Sequence, residues 1–133
     1  MKDTSPGNMS SYLAASDDSF DVLSGTISTL FTALMLGASG GVVSLANAFP
    51  EICCALFDRC KSGDMKAGRE LHYRLFNLNR SVSGSFGVAG VKYAMEIGGY
   101  FGGVPRLPLL PLSDDNKKCI WDAAKAAGVI DRD

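Results

Sequence analysis

The sequence predicts an α/β fold in which three parallel βα units, residues 1–48, are followed by a helical C-terminal extension, residues 49–133. Two observations carry this. No charged residue occurs from Val22 to Pro50, and glycines divide that stretch into short apolar run, helix and short apolar run. After Asn47 the pattern changes to helices, with no further strand-like segment.

The elements follow in chain order. Residues 1–7 read as a strand end leading into a turn, and Asn8 is placed to cap a short helix from Met9 to Ala15. Phe20 to Leu23 (FDVL) is a short apolar run closed by Ser24-Gly25. From Thr26 to Leu36, apolar Ile27, Leu30, Phe31, Leu34 and Met35 recur at i, i+3, i+4, i+7 and i+8, one face of a helix. Gly37 ends it. Gly41 to Leu45 (GVVSL) has the β-branched content of a third strand. Strands covered on both faces lose polar alternation, which accounts for the missing charges. The order strand, helix, strand, helix, strand implies right-handed parallel connections.

Beyond Asn47, Pro50 suits the first turn of a helix reaching about Ser62, and Gly63-Asp64 supplies a stop and a new N-cap. A second helix runs to about Val82 and a third from about Val88 to Ile97, closed by the glycine-rich segment Gly98 to Gly103. Pro105, Pro108 and Pro111 exclude helix from the next stretch. Ser113 then caps a last helix that stops at Gly128, with Asp114 and Asp115 in a first turn that favours negative charge.

Composition excludes several function classes. With 133 residues, 47% hydrophobic and 20% charged, the chain can bury a core, and its net charge of -1 leaves no basic surplus for a nucleic acid backbone. The four cysteines, Cys53, Cys54, Cys60 and Cys119, match neither a zinc knuckle nor a disulfide framework and read as free thiols. No metal and no cofactor are expected. The uncharged stretch is long enough for a bilayer, but its four glycines and seven Ser or Thr residues leave no predominantly apolar window of about 20 residues. No membrane span is expected. The N-terminus lacks an apolar core behind a basic stretch, so the expected location is cytoplasmic.

Read residue by residue, Lys2 is a solvated charge near the amino terminus and His72 a helix-surface histidine without a second ligand at metal-binding spacing. The glycine pairs at 98-99 and 102-103 lack the Gly-Lys-Ser/Thr of a phosphate loop. Cys53 and Cys54, adjacent on a helix, point in different directions and read as packed thiols.

Taken together, Met1-Lys2-Asp3-Thr4 with Gly7, LSG at Leu23 to Gly25 and GGVVSLAN at Gly40 to Asn47 form an ordered series. SGD at Ser62 to Asp64, FGVAGVK at Phe86 to Lys92 and GGYFGGVPRLPLLPLS at Gly98 to Ser113 continue it. This series resembles the C-terminal half of the dihydrodipicolinate synthase and N-acetylneuraminate lyase family of class I aldolases. SLAN, FGVAGVK and YFGG look closer to its 4-hydroxy-2-oxoglutarate aldolase branch. Ala89 stands where that family commonly has proline, and Thr4-Ser5-Pro6 where small residues lead to glycine.

The resemblance implies a partial TIM (β/α)8 barrel, its last three βα units, and a lyase acting on pyruvate or a related 2-keto acid. It implies that Lys2 is the amine that forms a Schiff base and that Thr4 lies close to the imine. It also implies that Gly25 keeps the pocket floor open and that Val42 shields the imine from water. A whole barrel of this type takes roughly 250 residues. The resemblance therefore places strands one to five, the Thr/Ser-rich carboxylate loop and the proton-relaying tyrosine outside these residues. Tyr12, Tyr73, Tyr93 and Tyr100 do not stand in that tyrosine's context. A lysine amine left in water is neutral at pH 7 in only about 0.04% of molecules. This chain is thus expected to be inactive alone and to associate, as a homo-oligomer or with a complementary half-barrel. The alternative expectation is a truncated, non-catalytic paralogue that binds or assembles with a complete barrel.

Overall fold

A computed structural model describes residues 1–5 and 7–131, so Pro6 lies outside the described residues. The α/β reading holds. Strands β1 (Lys2–Asp3), β2 (Leu23–Ser24) and β3 (Gly40–Gly41) pair in parallel in the order β1-β2-β3. Lys2 stands beside Leu23 and Leu23 beside Gly40, while Asp3 stands beside Ser24 and Ser24 beside Gly41. Helices α1 (Met9–Ala15) and α2 (Ile27–Met35) make the connections. Beyond β3 come α3 (Pro50–Lys61), α4 (Met65–Asn79), α5 (Ser85–Ile97) and α6 (Asp114–Ala127).

Local chemistry sets most boundaries. The Thr26 side chain accepts from the Ser28 N–H, Asp64 from that of Ala67 and Ser113 from that of Asn116, each satisfying a helix N–H that has no partner within its own helix. Gly63 and Gly128 take positive φ, +79° and +64°, where the chain leaves α3 and α6. Asn8 departs from its expected role. Its backbone is already α-helical and its side chain makes no capping bond, so α1 begins uncapped.

The expected strand from Gly41 to Leu45 is also corrected. Only Gly40 and Gly41 pair with β2, and Ser44–Asn47 form a 3-10 turn. The reason is burial: Leu45 is fully buried among the helices that follow, which requires the chain to curl away from the sheet. The second predicted helix reaches Val82 only through a wider π turn, Arg80–Gly84. Gly87, at φ +53°, kinks α5 where a residue with a side chain would be strained.

Packing occurs in two clusters. Met9, Val22, Ala33 and Ala38 join α1 and α2 to the back of the sheet. A larger cluster runs from Ile27, Leu30 and Leu34 of α2 through Leu56, Leu75 and Leu78 to Ile120 of α6. It crosses residue 48 without a break. Burial of each such leucine or isoleucine contributes about 1.5–3 kcal/mol. No helix among the described residues is long and apolar enough to cross a membrane.

Candidate active site

Alternate residues of a strand face opposite sides of its sheet, and parallel register partners face the same side. Ser24 points toward α2: it is fully buried, and its hydroxyl donates to the Thr26 carbonyl and shares a hydrogen bond with Thr29. Leu23 and Gly25 therefore face the other way. By register, so do Lys2 and Thr4 on one side and Gly40 and Val42 on the other. Hydrogen bonds from the Gly25 N–H to the Asp3 carbonyl (2.6 Å) and from the Val42 N–H to the Ser24 carbonyl (2.8 Å) carry the pairing past the strand ends. The four residues singled out in the sequence thus share one face, at the C-terminal end of the sheet.

Lys2, Thr4 and Gly25 approach one another closely. A Cβ placed on Gly25 would lie 2.3 Å from Thr4 Cγ2, 2.9 Å from the Asp3 carbonyl oxygen and 3.0 Å from Lys2 Cδ. Only hydrogen fits there, so the absence of a side chain at 25 lets the stem of Lys2 and the methyl of Thr4 lie over this turn. Lys2 and Thr4 are exposed, and Val42 is 57% exposed. Among the described residues no cluster of His, Cys, Asp or Glu could hold a metal ion.

Two neighbours of this site were not singled out in the sequence. Ser24 ties the turn before Gly25 to the start of α2; the signal available was a polar residue between an apolar strand residue and a glycine. Asp3 accepts the Ser5 N–H through Oδ1 at 3.1 Å, bending the chain around Thr4, while its Oδ2 is buried without a partner among the described residues.

His72 is corrected. It is half-buried in a ring cluster, 5.4 Å from Phe31, 5.2 Å from Tyr73 and 6.1 Å from Phe76 by centroid, and burial holds its pKa below the usual histidine value. The four cysteines are free thiols; Cys53 is buried as expected, while its neighbour Cys54 is exposed rather than packed. Burial, helped by the charges of Cys54 and Glu51, pushes the Cys53 thiol up to about 12. Glycines 98-99 and 102-103 stop α5 and turn the chain: Gly99 takes φ +86°, and a Cβ on Gly102 would sit only 1.9 Å from the Lys92 carbonyl oxygen.

Comparison with known proteins gives the family. The model of the Dihydrodipicolinate synthetase family matches residues 1–127. Over 102 residues the chain is 44% identical to the 4-hydroxy-tetrahydrodipicolinate synthase of Bartonella bacilliformis, an alignment covering 74% of this chain and 35% of that protein. The enzyme of the same name from Methanopyrus kandleri is 31% identical over 119 residues, 90% of this chain and 40% of its own length. A solved putative dihydrodipicolinate synthase from Thermus thermophilus matches with TM-score 0.82 and 30% identity, over 97% of this chain and 46% of that one. The KD(P)GA of T. tenax matches with TM-score 0.80 and 28% identity, over 96% and 45%.

The chain belongs to the dihydrodipicolinate synthetase family, and its three βα units are part of that family's barrel. It spans 35% of the length of the Bartonella bacilliformis enzyme and 40% of that of the Methanopyrus kandleri enzyme, both of which carry the synthase name rather than that of 4-hydroxy-2-oxoglutarate aldolase.

Proposed function

We propose that this chain supplies the Schiff-base lysine and one wall of the keto-acid pocket in a lyase of the class I aldolase type. The observation that supports the reading best is the convergence of Lys2, Thr4 and the bare Gly25 at the C-terminal end of parallel strands, where active sites of (β/α)8 barrels lie.

In this reading the neutral Lys2 amine attacks the ketone carbon of pyruvate or a related 2-keto acid. The carbinolamine loses water to give an iminium. That cation withdraws electrons as the adjacent carbon loses a proton or a carbon substituent, leaving an enamine; the enamine carbon then takes up a proton or an aldehyde carbon, and hydrolysis of the restored iminium frees the amine. Gly25 leaves room for the keto acid beside the lysine stem. Thr4 offers a hydroxyl to the imine or to its water, and Val42 presents an apolar surface on the other flank. Electrostatic and acid-base steps of this kind require a pocket from which water is excluded. Lys2 is exposed, as are Thr4 and Val42, so the wall that excludes water must come from elsewhere. The chain by itself accordingly forms negligible imine.

Borohydride trapping tests both halves of this. Pyruvate and borohydride are added to the chain alone and to the chain co-purified with the N-terminal part of the Bartonella bacilliformis relative. The expected result is a reduced pyruvyl group on Lys2 in the assembled barrel and no label on the chain alone. Appreciable trapping on Lys2 in the isolated chain would refute the need for a second wall. Trapping that persists in a Lys2→Arg assembly would refute the assignment of the nucleophile.

A further inference from the structure

Away from the strand ends, a cavity of about 360 Å³ opens between α5, the proline-rich segment and α6, within the size range of small-molecule pockets. Its walls include Tyr93, Val104, Pro105 and Leu112, and two charged side chains, Glu96 and Lys117, reach it from opposite helices. The aldolase chemistry proposed above makes no use of it.

Its mouth is held in place by a double clasp. Glu96 Oε1 accepts the Gly103 N–H at 2.8 Å and the Gly102 N–H at 3.2 Å, while one turn earlier Lys92 Nζ donates to the Gly102 carbonyl at 2.7 Å. Gly102 admits no side chain against α5, and prolines at 105 and 111 stiffen the segment that follows. The cavity is therefore shaped before any ligand arrives, which reduces the ordering cost of binding.

The two charges are available in different ways. Glu96 is exposed, lines the cavity and accepts both backbone N–H groups through Oε1, so the carboxylate is fixed and its second oxygen retains acceptor capacity. Among the described residues Lys117 is held only by Asp114, at 3.3 Å, whose side chain is fully exposed. Such an exposed pair contributes little and releases its amine readily.

The geometry points to a binding site for a small zwitterion with an apolar body, an α-amino acid of leucine size: its ammonium on Glu96, its carboxylate on Lys117 and its side chain among Tyr93, Val104 and Leu112. The site is separate from the Lys2 chemistry, so its failure and that of the aldolase reading are distinguishable.

Ligand-observed NMR and calorimetry on the full chain, with L-leucine, 4-methylpentanoate and isopentylamine as probes, test it. Leucine is expected to bind, with each single-charge analogue at least about tenfold weaker, the loss of one charge-assisted hydrogen bond. Lys117→Met, a change on the surface of α6, is expected to weaken leucine about tenfold and to leave isopentylamine unaffected. Ala89→Trp, which fills the cavity, is expected to abolish leucine binding, with thermal unfolding reporting whether that variant folds. Absence of leucine binding at about 10 mM, equal binding of leucine and 4-methylpentanoate, or leucine binding that survives Lys117→Met would each overturn the proposal.

Discussion

Replacing Gly25 with alanine adds one methyl group at the point where β1 meets the turn after β2. Of the three atoms it would strike, Lys2 Cδ at 3.0 Å belongs to a flexible side chain and can move aside. Thr4 Cγ2, at 2.3 Å, can be relieved by a rotamer change. The Asp3 carbonyl oxygen, at 2.9 Å, cannot yield so readily, because it accepts the Gly25 N–H at 2.6 Å and is part of the ladder. The methyl group therefore pushes β1 away from β2. Overpacking of this kind costs about 1–3 kcal/mol. β1 lies at the edge of the sheet, where strain is relieved by detachment rather than by disturbing the core. Amide exchange measured by NMR on Gly25→Ala should show lost protection at Leu23, whose N–H donates to Met1, and at residue 25, with the α4 and α6 amides unchanged. Gly7→Ala is the control, since a Cβ there meets nothing within 4 Å among the described residues, and its stability should stay within about 0.5 kcal/mol of the parent. Unchanged protection at residues 23 and 25 in Gly25→Ala would refute the packing argument.

The titrating groups give two further predictions. The raised pKa of Cys53 stabilises the folded chain below the ordinary thiol value near 9.0, and that contribution is lost as pH rises toward about 12. Urea midpoints should therefore hold from pH 7 to about 9 and fall above it, while Cys53→Val flattens the fall. Iodoacetamide at pH 8 should label exposed Cys54 and Cys119 well before buried Cys53 and Cys60, as read by peptide mass mapping. His72 has the opposite sense. Its pKa is depressed by burial, so its contribution is present above the ordinary value of 6.5 and is lost as pH falls through the folded value. The urea midpoint should decline on acidification below about 6.5, and His72→Phe should reduce that decline.

Much of the fold was legible because local signals and tertiary demands agree. Thr26, Asp64 and Ser113 are good caps in any context, Gly63 and Gly128 suit the left-handed turns they occupy, and the proline run excludes helix. The misreadings arose where distant packing decided. Val42 and Val43 carry strand propensity, yet burial of Leu45 under the helical extension turns the chain out of the sheet. His72 carries no sequence sign that Phe31, forty-one positions earlier, would pack against it. At the site, Lys2 alone reads as a solvated charge, and nothing in the spacing from 2 to 25 shows that the two positions touch. The parallel register supplies that information, and only the ordered resemblance to an aldolase family anticipated it. Ser24 and Asp3 escaped notice because their hydrogen bonds depend on turns that no pattern announces.

The proposed site depends most on Lys2, Thr4 and Gly25 sharing one face of the sheet. A NOESY spectrum of the chain tests this without any catalysis. Cross-peaks from the Lys2 side-chain methylenes and the Thr4 methyl to the Gly25 α-protons are the expected result. Lys2 cross-peaks to Thr26 and Thr29 instead, on the side of the sheet that packs against α2, would contradict it.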